Sequence, residues 1–440
     1  MNTQKNLWDE PAETRDPAQQ QRLQLQGVRT VLDWVTRHSP FYRERLAMNE
    51  ERIKSVNTLA DYAEAVPLTS KQDLRDAMEQ SGNALPHLCV PTVDIVLAGP
   101  SAGTSGRRTF QAYTAQDLDH NVQIAARLLW CCGLRSTDTF HLLTTPSMPG
   151  ATIFRLAAQR IGVKWVLSDD HDPLHIPRYV DVAQSLKPTF LFAGLPTLRA
   201  MLRHVKASGA GKPLGYTRAI LGGAALGAEA REEFKKELGV DVFTLSGQGS
   251  DFNLFSTHCE HHHGEHWHGD DLTLVELIDP GTGRPAKDGE LGELVLTDFY
   301  RRATPHLRWR TEDLYRMHTG ACACGRTTRR LTLLDRLANR VPVEGGAVYP
   351  YQVEESLSRS AEGRNLEFSL VRRDQPVRTL EVRLLRPASL PADQAHDAAL
   401  RIAAHLRAEL AVEVNAEFHD QLKYLGYKTL RVVDEAGRAS

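Results

Sequence analysis

The sequence predicts an α/β protein of two domains: a large N-terminal domain with mixed or parallel sheets, followed by a small α+β C-terminal domain. Two observations predict this. Between about residues 90 and 300, short apolar runs alternate with longer helical stretches, the pattern of a largely parallel sheet covered by helices. After LTLLDRL (331–337) the character changes, and the remaining stretch is of a size to form a separate domain. The boundary is placed at 1–335 and 336–440.

The elements follow in order. In PAQQQRLQLQGVRTVLDWVTR (17–37), Leu23, Val28, Leu32 and Val35 recur at helical spacing, and the helix must end before Ser39-Pro40. VDIVLAG (93–99), DTFHLLT (138–144), VKWVLSD (163–169), PTFLFAG (188–194) and TRAILGG (217–223) read as buried strands. QDLDHNVQIAARLLWCCG (116–133) and GAEAREEFKKELG (227–239) read as helices between them. Further strands are expected in DLTLVELID (271–279), GELVLTD (292–298) and HLRWR (306–310). In the C-terminal domain, strands are expected near 366–371, 378–384 and 411–418, with helices at YQVEESLSR (351–359) and HDAALRIAAHLRAEL (396–410).

Composition excludes several classes. Of 440 residues, 41% are hydrophobic and 25% charged, and the formal net charge is −2, so a polyanion-binding surface is not indicated and nucleic acid is not an expected partner. The opening MNTQKNLWDEPAETRD lacks the basic-then-apolar layout of a signal peptide, and no run approaches the ~18 apolar residues of a membrane helix. A soluble, cytoplasmic protein without a membrane partner is expected. In that compartment six cysteines do not suggest a disulfide framework, and Cys131-Cys132 are expected on a helix as small apolar residues.

The first segment with chemistry is Pro100-Ser101-Ala102-Gly103-Thr104-Ser105-Gly106-Arg107-Arg108-Thr109. Small residues let backbone N–H groups turn towards an anion, hydroxyls add donors, and the arginines add charge. The GK[ST] ending of a Walker loop is absent.

With its company, this segment resembles the adenylate-forming (acyl-CoA synthetase/adenylation domain) superfamily, in particular its phenylacetate–CoA ligase-like branch. HSPFYRERL (38–46) and PLTSKQDLRD (67–76) resemble that branch's N-terminal segment, and SAGTSGRRT (101–109) its phosphate loop. TPHLRWRTEDL (304–314), CACGRT (322–327), LLDRLANRVPVEGGAVYPYQVEESL (333–357) and KTLRVVD (428–434) follow in family order. The resemblance implies ATP-dependent, Mg²⁺-assisted activation of a small aromatic carboxylic acid as acyl-AMP, then transfer to coenzyme A. Ser101, Gly103, Thr104, Ser105, Gly106 and Arg107 would cradle the phosphates, with Gly223, Ser246 and Gly247 at the strand ends beside the nucleotide. Asp313 would accept hydrogen bonds from the ribose hydroxyls, and Arg336 would help hold the nucleotide just before the hinge. Arg308 and Arg310, taken as alternating along a strand, would share one face. Lys428 would bridge the attacking carboxylate and the α-phosphate as a flexible point charge, with Lys423 as its competitor. The acid pocket would lie among 142–154, 192–197 and 220–225, whose composition suits a flat aromatic acid.

The chain also departs from the family pattern. Ala224 stands where a glutamate is usual. Ser246-Gly247-Gln248-Gly249-Ser250 replaces the aromatic–Gly–x–x–Glu signature, removing the aromatic that stacks on adenine and the carboxylate that holds Mg²⁺. Asp251 is the nearest substitute metal ligand. Ala338 stands at the usual acidic hinge position. These departures leave two alternatives open beside coenzyme A ligation: acyl transfer to a carrier protein or an amine, and a decayed nucleotide-binding scaffold.

A further constellation is Cys259, His266, Cys322 and Cys324. Thiolates and imidazole in a tetrahedral set are what Zn²⁺ prefers, and four protein ligands make a structural site; relatives in the branch carry a similar arrangement. His258, His261, His262, His263 and His268 are alternatives to His266. Base rates for soluble chains favour a homodimer.

Overall fold

The computed structural model describes residues 6–101, 108–144, 149–166, 175–207, 214–222, 228–248, 254–287, 289–364, 366–387, 390–425 and 428–435. It divides into two compact units, Met1–Thr311 with Tyr315–Leu333, and Glu312–Leu314 with Leu334–Ser440.

In the first unit, the amphipathic stretch forms the helix Pro17–His38, capped by Asp16 and stopped before Pro40. Strands β1 (Leu97–Pro100) and β2 (Phe110–Tyr113) form an antiparallel ribbon of their own. The run at 93–99 was expected in the parallel sheet, and the structure corrects this. Val93 and Val96 are exposed, and Pro100, which has no N–H to donate, suits a ribbon edge. The ribbon continues into a bond from Ser101 N–H to the Thr109 carbonyl, 2.8 Å.

The principal sheet contains β3 (Thr139–Leu142), β4 (Lys164–Val166), β5 (Phe190–Gly194), β6 (Arg218–Gly222), β7 (Asp241–Gln248), β8 (Leu254–His258), β9 (Glu265–Trp267), β10 (Thr273–Ile278), β11 (Leu291–Asp298), β12 (Trp309–His318) and β13 (Arg330–Arg336). Their spatial order is β10-β11-β12-β13-β9-β8-β7-β6-β5-β3-β4. Only part of it is parallel, from β4 through β3, β5 and β6 to β7. There, helices such as Pro149–Ile161, Ile176–Leu186, Leu195–Ala207 and Ala228–Leu238 supply the crossovers that parallel strands need. Beyond β7 the connections β7–β8 and β8–β9 are short and the pairing is antiparallel. The sheet is therefore mixed.

Its two faces have separate cores. Phe140, Phe190, Phe192, Ile220, Phe243 and Leu245 pack on one face with residues of the helices Ala115–Cys131 and Pro149–Ile161. Leu191, Ala193, Ala219, Leu221 and Val242 pack on the other with residues of the three following helices. Cys131 and Cys132 are buried at the end of the helix Ala115–Cys131, as expected of small apolar residues. Among the described residues no helix is long and apolar enough to cross a membrane.

The second unit begins with the hairpin β14 (Val341–Val343) and β15 (Gly346–Val348). Its four-stranded sheet contains β16 (Phe368–Arg372), β17 (Thr379–Leu385), β18 (Glu413–His419) and, last in sequence, β21 (Val432–Asp434), in the order β18-β17-β16-β21. The small hairpin β19 (Tyr424–Leu425) and β20 (Lys428–Thr429) lies between β18 and β21 in sequence. Helices Pro350–Arg359 and Ala392–Leu410 contribute Val353, Leu357, Ile402 and Leu406 to the core with Leu370 and Val382.

Candidate active site and metal cluster

Ligands of open α/β sheets bind beyond the carboxyl ends of parallel strands. Here those ends are aligned by register: Leu142 pairs with Phe192, Gly194 with Gly222, and Gly222 with Leu245. Of the pocket walls expected at 142–154, 192–197 and 220–225, the strand ends Leu142, Phe192–Gly194 and Ile220–Gly222 therefore share one edge, residues 149–154 belong to the helix Pro149–Ile161, and 145–148 and 223–225 lie outside the described residues. Ser246 lies one residue beyond that row and Gly247 follows with φ +134°, a conformation that favours glycine. Ser101 is buried at the start of the phosphate-loop segment, where its hydroxyl meets that of Thr109 at 3.0 Å. Gly103, Thr104, Ser105, Gly106, Arg107, Gly223 and Asp251 lie outside the described residues, as does Ala224.

Asp313 and Arg336, which sequence reading assigned to the nucleotide, meet within the second unit: the Arg336 guanidinium is 3.1 Å from the Asp313 carboxylate. Asp313 is 3% exposed, whereas the arginine is largely solvated. Glu312, immediately before Asp313, holds φ +61° and is exposed, while Asp313, Leu314 and Tyr315 are buried in succession. This breaks the strand's two-residue alternation, so the local kink re-aims Asp313. A non-glycine residue in that region costs about 1–2 kcal/mol, and such strain concentrates at functional sites. Asp335 fastens the neighbouring segment: one carboxylate oxygen accepts from Asn339 Nδ2 at 2.7 Å and the other from Tyr351 N–H at 2.9 Å. Ala338 sits in the short turn Leu337–Asn339, and its carbonyl accepts from Arg372. Lys428 opens β20.

Arg308 and Arg310, expected to share one face of a strand, meet carboxylates on one face of the β10–β11 pair, because Ile278, two residues past Glu276, is opposite Glu293. Arg308 precedes β12 with φ +41°, is buried, and pairs with Glu276 at 3.0 Å. Arg310 pairs with Glu293 at 2.6 Å. Both charges are paired with carboxylates, Arg308 as a buried residue and Arg310 with 32% of its side chain exposed.

The sulfur and imidazole set does assemble. One donor atom from each of Cys259, His266, Cys322 and Cys324 lies within 4.8 Å of all the others. Cys259 Sγ and Cys322 Sγ are 3.6 Å apart, and Cys324 Sγ is 3.4 Å from His266 Nε2. Metal–sulfur bonds of about 2.3 Å in a tetrahedron imply donor separations of about 3.8 Å, so the cage has the right size. His266 Nδ1 meets Thr328 Oγ1 at 3.0 Å, which leaves Nε2 for the metal. Gly325, with φ +84°, closes the turn by donating to the Cys322 carbonyl at 3.1 Å. Beside it, the buried Arg326 pairs with buried Glu13 at 2.6 Å. Of the alternative histidines, His258 contacts Thr244 at 2.7 Å instead.

One group went unnoticed in the sequence. Glu265, next to His266 but on the opposite face of β9, accepts hydrogen bonds from Thr244 at 2.8 Å, from Ser256 at 2.8 Å and from Ser246. Burial pushes its pKa up to about 7, against the three hydroxyls and the Arg231 guanidinium, which favour the charged form. The only signal was the two-residue spacing of Thr244 and Ser246, which means little until the register with β8 and β9 is known.

No family model matches the chain. The chain is 28% identical over 349 residues to a phenylacetate–coenzyme A ligase of Thermus thermophilus, covering 76% of this chain and 74% of that one. It is 27% identical over 364 residues to the Escherichia coli phenylacetate–coenzyme A ligase, covering 79% and 78%. A crystal structure of 2-hydroxyisobutyryl-CoA ligase in the postadenylation state, in complex with 2-HIB-AMP, superposes with a TM-score of 0.86 at 20% identity, over 99% of this chain and 94% of that one. An anthranilate CoA ligase in complex with anthranoyl-AMP gives 0.57 at 16% identity, over 77% and 66%. The chain thus has the fold of the adenylate-forming CoA ligases and resembles, in sequence, the phenylacetate–coenzyme A ligases.

Proposed function

We propose that this protein is an AMP-forming acid–thiol ligase: it adenylates a small carboxylic acid with ATP and passes the acyl group to coenzyme A. The observation that carries the reading is the meeting of Asp313 and Arg336, from two segments distant in sequence, at a strained strand position. In this reading Asp313 accepts from the ribose hydroxyls and Arg336 steadies the phosphate side. Lys428 neutralises charge as carboxylate and α-phosphate meet, and the Ser101–Arg107 segment holds the triphosphate. Such preorganised charge is where acyl-transfer enzymes gain most of their rate. Mg²⁺, with Asp251 among its ligands, supplies charge neutralisation on the phosphates.

The Cys259, His266, Cys322 and Cys324 cage holds Zn²⁺ in a structural role. Four protein donors leave no open position, and the metal ties the turn around 322–325 to β9. The protein works in the cytoplasm.

The test is pyrophosphate release from ATP and Mg²⁺ across a panel of aryl and short-chain acids, with and without coenzyme A. Release with one acid class, accelerated by coenzyme A, is expected. Release that a carrier-protein thiol or an amine accelerates, and coenzyme A does not, would replace the acceptor. Tight ATP binding without release under any acid would favour a scaffold.

A further inference from the structure

The carboxylate of Glu265 sits beneath the edge at which the acid and nucleotide are placed above, and the following inference rests on that placement. Glu265, Ser256 and Thr244 are buried, whereas Ser246 is partly exposed at the carboxyl edge, one residue past the Gly194–Gly222–Leu245 row. Strand register puts all four side chains on one face, because Ser246 pairs with Ser256 and Glu265 with His258, itself opposite Thr244.

With Glu265 ionised, its carboxylate only accepts hydrogen bonds, and a hydroxyl has one proton to give. Thr244 gives its proton to one Glu265 oxygen and accepts from His258 Nδ1. Ser256 and Ser246 give theirs to the other oxygen, and the two serine hydroxyls also meet each other at 3.0 Å, so the Ser246 proton stays on the Glu265 side. Ser246 therefore turns only lone pairs towards the site. We propose that Glu265 is a positioning residue that locks the Ser246 hydroxyl as a hydrogen-bond acceptor in the wall of the small-molecule site, selecting ligands that bring an N–H or O–H donor. That donor is either the 6-amino group of the purine or an amino or hydroxyl substituent on the acid.

The polarity of this relay can be reversed with almost no change of shape. In Glu265→Gln an amide N–H donates to Ser246, whose own proton is then free to point outwards, and the wall becomes a donor. The experiment measures KM and kcat for full-length wild type, Glu265→Gln, Ser246→Ala and the double variant, by pyrophosphate release. One arm compares ATP with inosine triphosphate, whose 6-oxo group accepts. The other compares benzoate with its amino- and hydroxy-substituted forms.

The expected result is a shift of about tenfold in the KM ratio of donor to acceptor ligand in Glu265→Gln, with kcat nearly unchanged, in one arm. A tenfold shift corresponds to about 1.4 kcal/mol, within the range of one hydrogen bond. In the Ser246→Ala background the Glu265→Gln substitution should no longer shift the ratio, because the relay is cut. A shift in the nucleotide arm identifies the purine amine, and one in the acid arm the substituent; either supports the proposal. Unchanged ratios in both arms, in variants that still release pyrophosphate, would overturn it alone. A folded wild type that neither binds ATP nor releases pyrophosphate would overturn the ligase reading and this proposal together.

Discussion

Two adjacent residues on β9 face opposite sides of one sheet and tell opposite stories. His266 joins three cysteines on the side covered by the helix Ala115–Cys131. Glu265 gathers three hydroxyls on the other side. The first group was legible, because Cys-x-Cys followed by glycine and a distant Cys-x6-His restrict the chemistry before any fold is known. The second was not. A carboxylate among serines and threonines is ordinary until register brings β7, β8 and β9 together. The comparison teaches that sequence spacing exposes sites whose donors are chemically rare, while sites made of common residues become visible only through strand pairing.

The largest expected effect bears on the His266 side. Replacing Cys322 and Cys324 together by Ser should abolish metal binding, about one Zn²⁺ per chain by metal analysis, and destabilise the first unit by several kcal/mol. Equal melting temperatures for variant and wild type would show that the cage does not hold the fold. Next in size, Lys428→Ala should lower the adenylation rate about a thousandfold while the melting temperature is kept, as loss of a preorganised charge does. Full adenylation by the variant would remove its assigned role.

The face that carries Glu265 holds a second buried polar group, and its titration sharpens the contrast. His141 is fully buried with Nδ1 2.7 Å from Tyr216 Oη, and burial pulls its pKa down to about 4. The unfolded chain binds the proton more readily, so stability should fall as pH drops from about 6.5 to 4, by roughly 3 kcal/mol in all. His141→Asn should flatten the dependence of melting temperature on pH in that window; an unchanged slope would exclude His141 as its source. Smallest is Asp313→Asn, expected to raise KM for ATP about tenfold through a weakened charge-assisted hydrogen bond, with kcat less affected.

Much of the fold was readable. The helix at 17–38 and the strands at 139–142, 190–194 and 218–222 follow from apolar periodicity that packing preserves. What misled was local. The run at 93–99 is apolar but closes a hairpin, and the positive φ of Arg308 starts β12 later than HLRWR suggested. Such backbone choices leave no hydrophobic signature. Asp313 and Arg336 were identified by resemblance, but the ion pair between them and the kink at Glu312 required coordinates.

The central claim is adenylation at the carboxyl edge of the parallel strands. Pyrophosphate release from ATP and Mg²⁺ over the acid panel, with and without coenzyme A, tests it most directly. Release with one acid class, sped up by coenzyme A, is the predicted result. Silence over the whole panel, from folded and metal-loaded protein, would contradict it.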